Sequence, residues 1–64
     1  MNRNNSLRRI RRARDITQLE LAKKVGSNIS MISFIENRNY NADEDMKKKL
    51  ARALNCKVSE LWPE

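Results

Sequence analysis

Histidine is absent from this chain, and cysteine, glycine and proline each occur once. Without histidine the usual general base is missing, and no Ser/His or Cys/His pair can activate a nucleophile, so enzymatic catalysis has little to work with. The same gap, with Cys56 alone, removes the ligands of an ordinary zinc site and any internal disulfide. Cys56 is instead expected to be a small buried hydrophobe. No apolar run approaches the length of a membrane span, and no apolar segment with a cleavage site follows the start; neither insertion nor export is indicated, and the cytoplasm is the default. There is no phosphate-cradling glycine loop, and nothing marks a metal, a cofactor or a small-molecule ligand.

What is present is a short, charged chain. Its 64 residues make one small domain, in which only about 60% of the unfolded surface can be buried, so the core must be thin. Charged residues reach 34% against 39% apolar, enough to fold with a highly charged exterior. The net charge of +6 points to a polyanionic partner, although charge alone is weak evidence.

The stretch Thr17 to Ile35 organises the rest. Leu21, Ala22 and Val25 share a face at helical spacing, the sole glycine, Gly26, interrupts, and Ile32 and Ile35 resume the pattern behind Asn28, a favourable N-cap. Thr17 with Glu20 three residues on forms a capping box, which fixes where the first of these two helices begins. Gly26 falls where a helix end needs a residue that tolerates positive φ. Two helices joined by one tight turn are the expected result, the second from about Ile29 to Glu36 with Ile29, Ser30, Ser33 and Phe34 facing away from the core and Met31 at the boundary.

Around this unit the chain reads as three more helices. Residues 1 to 5 are polar and are expected to form a flexible tail, with Ser6 capping a helix that runs to about Arg14 and turns Leu7, Ile10 and Ala13 inward. Arg8, Arg9 and Arg12 lie on its other side, and cations in a first helical turn oppose the macrodipole, so local helix stability does not explain them. Phosphate contact would, with plain solvation of some of these side chains as the alternative, whereas an apolar face with two large residues is too small for much membrane insertion. Asn37 to Asn41 reads as a polar loop. Asp43 caps a fourth helix to about Leu54, with Met46, Leu50, Ala53 and Leu54 inward. Its Lys47-Lys48-Lys49 run is expected to pair with Asp43, Glu44 and Asp45 at i,i+4 rather than to hold an anion. A last helix, Val58 to about Trp62, stops at Pro63, with Trp62 as a lid on the core or an aid to docking a partner subunit.

Together, Gln18, Ala22, Gly26, Ile32 and Ile35, followed by Glu36-Asn37 and the closing L-A-R-A-L-N-C-K-V-S-E-L-W, resemble the Cro/repressor-like (Xre-type) helix-turn-helix regulators. The resemblance spans Leu7 to Trp62. It implies an all-α, five-helix lambda-repressor-like domain whose third helix enters the DNA major groove. It further implies base contacts from Gln18, Asn28, Ile29, Ser30, Ser33 and Phe34, and backbone contacts from Arg8, Arg9, Arg12, Thr17, Lys23 and the segment Asn37, Arg38, Asn39, Tyr40 and Asn41. Arg11 and Glu36 match the family's internal salt bridge. The partner implied is double-stranded DNA with a near-palindromic operator, bound by a homodimer that acts as a repressor at the nucleoid of a bacterium or phage-infected cell. The dimer contacts are expected at the loop before the fourth helix and at the last helix, Trp62 included.

Three positions depart from the family pattern. Ser27 stands where an apolar residue is usual, and Arg38 replaces a common glycine, so either Asn37 takes the left-handed conformation or the loop differs. Ile29 and Phe34 are apolar where polar readers are common. They would suit thymine methyl groups, with Asn28 pairing adenine's donor and acceptor edge. Alternatively, Leu19, Ile29, Met31 and Phe34 form a protein-docking patch on a scaffold that does not read DNA.

Overall fold

The computed structural model describes residues 5–37 and 42–63. Among the described residues the fold is all-α, with five helices: α1 Leu7–Ala13, α2 Gln18–Lys24, α3 Ile29–Glu36, α4 Glu44–Ala53 and α5 Val58–Leu61. The lambda-repressor-like architecture expected from the sequence is the one found, with α2 against α3, α1 against α3, α4 against α2 and α5 folded back on α4.

Seven side chains, Leu7, Leu21, Ile32, Ile35, Leu50, Leu54 and Leu61, are essentially removed from water, and every helix contributes at least one. Full burial of such a side chain is worth about 1.5–3 kcal/mol. This small set therefore supplies most of the driving force that a domain of this size can muster. Ala51 and Ala42 join the core, while Met31, Met46, Ala53, Cys56 and Val58 pack on its margin. Ala13, expected inward, is exposed, because α1 ends there and turns away. Cys56 is only half-buried; burial, with Glu60 nearby, pushes its thiol pKa up, so it stays protonated.

Helix starts follow their caps with one exception. Thr17 accepts from the Glu20 backbone N–H at 3.0 Å while Glu20 Oε1 accepts from the Thr17 N–H at 2.8 Å, closing the capping box. Asn28 Oδ1 and Asp43 Oδ1 accept from Met31 and Met46 N–H groups at 2.8 and 2.9 Å. Ser6 makes no such bond. Its neighbour Asn5 does the capping, accepting from the Leu7 N–H at 3.0 Å and donating its amide to the Ile35 carbonyl at 2.9 Å. Asn5 is thus tied to the end of α3, not part of a loose tail, and the Ser6 N–H donates to the Leu61 carbonyl at 2.8 Å, joining α1 to α5.

Three helix ends share one geometry with only one glycine. Gly26 has φ of 68°, and the N–H groups of Gly26 and Ser27 reach back to the Lys23 and Ala22 carbonyls, a Schellman motif. Asp15, at φ 58°, and Asn55, at φ 56°, do the same after α1 and α4, through Ile16 N–H to Arg11 O and Cys56 N–H to Ala51 O. Ser27 leaves this turn intact, since the motif uses its backbone N–H. Asn37 is not left-handed; its φ is −87°. The α4 end gains a further partner, as Arg14 Nε donates to the Leu54 carbonyl at 2.9 Å.

The expected i,i+4 pairs on α4 do not form. Among the described residues the ion pairs are those of Arg8 and Arg11 with Glu36. Lys47 instead sits over the ring of Trp62, 5.3 Å from its centroid, a cation–π contact that closes the lid formed by the tryptophan. With 8% of its surface exposed, Trp62 is spent on the core and offers little to a partner subunit.

Candidate nucleic-acid interface

The Gly26 turn sets α3 across α2 so that the start of each helix opens on one face, toward the arginines of α1. An open cleft of about 610 Å³ lies there, lined by Arg8 and Arg12 of α1, Thr17, Gln18 and Leu19 at the α2 start, and Ile29 at the α3 start. Arg9 borders an adjoining hollow of about 410 Å³ shared with Arg8 and Arg12. Lys23 is exposed in the last turn of α2 and does not line either hollow. The face thus combines guanidinium groups, two helix N-termini and exposed apolar side chains. Leu19 and Phe34 are each 51% exposed and Ile29 46%. Met31, by contrast, is half-buried against the core.

Beneath this face lies one carboxylate, Glu36, with its side chain fully removed from water. Arg11 Nε donates to its Oε2 at 2.6 Å. Its Oε1 receives Gln18 Nε2 at 2.9 Å and, at 3.4 Å each, Arg11 Nη2 and Arg8 Nε. Burial by itself would raise the Glu36 pKa. The hydrogen bonds from Arg11 and Gln18, the Arg11 charge and the bond from Arg8 outweigh it and hold the group below the usual carboxylate range. Arg11, itself 92% buried, also donates Nη1 to the Ile16 carbonyl at 2.7 Å. Among the described residues no buried side-chain polar atom lacks a partner.

Sequence reasoning placed Arg8 and Gln18 at a ligand without seeing that both also serve Glu36. Arg8 further donates Nη2 to Asn37 Oδ1 at 2.7 Å, and Asn37 Nδ2 donates to Ser33 Oγ at 3.3 Å. The spacing of Ser33 and Asn37, one helical turn apart, carried the only sequence signal of this chain of bonds. Asn28 is also partly committed. Its Oδ1 caps α3, which engages one lone pair and fixes the amide, leaving the second lone pair and the Nδ2 donors for a base. Ser30 is exposed and Ser33 half-buried on the outer side of α3, on the helix that carries Ile29 and Phe34. Arg38, Asn39, Tyr40 and Asn41, read as backbone contacts, lie outside the described residues.

Among the described residues no cluster of His, Cys, Asp and Glu could hold a metal ion, and no helix is long and apolar enough to cross a membrane.

Comparison with known proteins agrees with the geometry. The helix-turn-helix family model matches residues 7–61, all five helices. Two curated relatives, both from Archaeoglobus fulgidus and both described as uncharacterised HTH-type transcriptional regulators, are similar to this chain. One is 38% identical over 56 residues, 88% of this chain and 80% of the relative. The other is 38% identical over 48 residues, 75% of this chain and 68% of the relative. A five-helix fold with a capped helix, a glycine turn and a second capped helix, matched from residue 7 to residue 61, establishes that the chain belongs to the Cro/repressor-like (Xre-type) helix-turn-helix family, which is not a family of enzymes.

Proposed function

We propose that this protein is a sequence-specific double-stranded DNA-binding transcriptional regulator, a repressor, that reads the major groove with α3. The observation that carries the reading is the composition of one face: Arg8, Arg9, Arg12 and the starts of α2 and α3 converge there, the Glu36 carboxylate beneath is buried and paired with Arg11 and Arg8, and the exposed Glu20 at the α2 start is engaged by the Thr17 N–H. Phosphates therefore meet the positive charge of the arginines beside two helix starts, with the Glu20 carboxylate held in the α2 cap. In this arrangement Arg8, Arg9, Arg12, Thr17, Lys23 and Asn37 hold the backbone. Gln18, Asn28, Ser30 and Ser33 meet base edges, and Ile29 and Phe34 pack on thymine methyl groups, which favours sites containing A·T pairs.

One domain covers one half-site, so the working form is a homodimer on a near-palindrome with half-site centres about 34 Å apart. Selection from random duplex DNA tests the reading and should enrich one motif. Affinity should then fall with salt at a log–log slope of about −0.9 per phosphate contacted, and charge reversal of Arg9 and Arg12 should flatten that slope. Failure to enrich any motif would sink the proposal.

The exposure of Leu19, Ile29 and Phe34 supports a second reading, a protein-docking patch on the same face. Binding through that patch would change little with salt, and the loss of Phe34 would matter more than the loss of Arg9 and Arg12.

A further inference from the structure

Hydrogen-bond polarity can be traced outward from Arg8 to the surface of α3. A guanidinium has donors and no acceptor, so the Asn37 atom that meets Arg8 Nη2 at 2.7 Å is the amide oxygen, and the orientation of the Asn37 amide is fixed. Its other end, Nδ2, has donors only and lies 3.3 Å from Ser33 Oγ. Ser33 is therefore the acceptor in that bond. Its own hydroxyl proton is not given to any protein group among the described residues, and the helix carries it on its outer side.

We infer that Asn37, oriented by Arg8, biases Ser33 toward donating a hydrogen bond to the bound DNA, so that α3 favours a base-edge acceptor at that position. This rests on the reading of α3 as the helix in the major groove. Guanine offers N7 and O6 there, thymine O4 and adenine N7, whereas cytosine offers only its N4 amine. An isolated serine donates or accepts as needed and discriminates poorly between bases. A serine with one of its two lone pairs engaged by Asn37 has less accepting capacity left, and the bond from Asn37 polarises its O–H into a better donor, so acceptor-bearing bases are favoured over cytosine. Asn37 is thus a positioning residue for specificity, with Ser33 as the group that touches the base.

Selection from random duplex DNA with four forms of the full chain tests this: wild type, Ser33→Ala, Asn37→Asp and Asn37→Ala. Asn37 is exposed, so its replacement leaves the core in place, and circular dichroism checks the fold of each variant. Ser33→Ala should abolish preference at one base position and so identify it. In Asn37→Asp the carboxylate keeps Arg8 but accepts the Ser33 proton, which turns the serine lone pairs outward. The preference at that position should then swing about 5- to 10-fold toward the amine-bearing bases cytosine and adenine, the scale of one hydrogen bond. Asn37→Ala should leave it without strong preference. If the position found with Ser33→Ala keeps its wild-type preference in both Asn37 variants, or if Ser33→Ala alters no position, the inference is overturned while the DNA reading stands. If wild type itself selects no motif, both fall together.

Discussion

Removing one member of the Arg11–Glu36 pair should cost far more than a surface ion pair, and the two single substitutions should respond to pH in different ways. Glu36→Gln leaves Arg11, 92% buried, with an uncompensated charge that it cannot shed by losing a proton. Breaking a buried pair in this way costs about 3–5 kcal/mol. The glutamine carbonyl and the Ile16 carbonyl still accept from Arg11 and should keep the loss near the lower end. A chain of 64 residues holds roughly 3–10 kcal/mol in total, so this one change should remove a third or more of it. Arg11→Met strands Glu36 instead, and a carboxylate can take up a proton. In the wild type the Glu36 pKa lies below the ordinary value of 4.5, so its contribution is complete above that pH and is lost as pH falls through the lower folded-state value. In Arg11→Met the largest lowering influence is gone while burial, which raises the pKa, remains. The deficit of this variant relative to wild type should therefore shrink between pH 7 and pH 4, while Glu36→Gln, which has no proton to gain at this site, should keep most of its deficit down to about pH 5. Urea unfolding followed by circular dichroism at several pH values measures both. Losses below about 1 kcal/mol for each variant, the range of an exposed pair, or a deficit of Arg11→Met that does not shrink with acid, would refute the account of this pair as buried and coupled.

Other substitutions separate local causes. Gly26→Ala should destabilise by about 1–2 kcal/mol in thermal melts from its φ of 68° alone, since an added Cβ would meet nothing within 4 Å. Asp15→Gly and Asn55→Gly, at the same conformation, should be neutral or slightly stabilising in that assay. Asn5→Ala should cost about 1–2 kcal/mol by urea unfolding, because both the α1 cap and the bond to Ile35 are lost, whereas Ser6→Ala should cost almost nothing. Phe34→Ala, at a half-exposed site, should leave the melting temperature within a few degrees of wild type yet weaken binding to the selected duplex in fluorescence anisotropy, the reverse of the pattern for any core residue.

The sequence showed the elements whose causes are local. Thr17 with Glu20, Asn28, Asp43 and Gly26 each announce a helix boundary through bonds within a few residues, and all four boundaries stand where those residues placed them. The misses are of another kind. Asn5 caps α1 because its amide also reaches Ile35, thirty residues away, and Ser6 loses the role because its backbone N–H is drawn to Leu61. Arg14 covers the end of α4 across forty residues. Lys47 leaves Asp43 for Trp62, as an exposed i,i+4 pair worth a few tenths of a kcal/mol yields to a tertiary contact. Asp15 and Asn55 adopt the conformation for which glycine was the only visible signal, because asparagine and aspartate reach it at modest cost once the rest of the turn is fixed. For the site, residue types and spacing showed which side chains share a face, but not how Glu36 and Asn37 orient them.

That orientation also explains the arginine that the helix dipole disfavours. Arg8 in the first turn of α1 faces the positive end of its own helix, an arrangement that costs a few tenths of a kcal/mol or more. Its guanidinium reaches instead to Glu36 and Asn37 at the end of α3, where a carboxylate and a carbonyl oxygen receive it. The same Glu36 holds α1 to α3 through Arg11 and fixes the Gln18 amide, so that the Gln18 carbonyl is left to face the cleft. One buried carboxylate thus joins Arg8 and Arg11 of α1, the start of α2 and the end of α3. A change there moves both stability and the reading face, whereas Asn37 and Ser33, at the outer end of the chain of bonds, are where specificity can change without the fold.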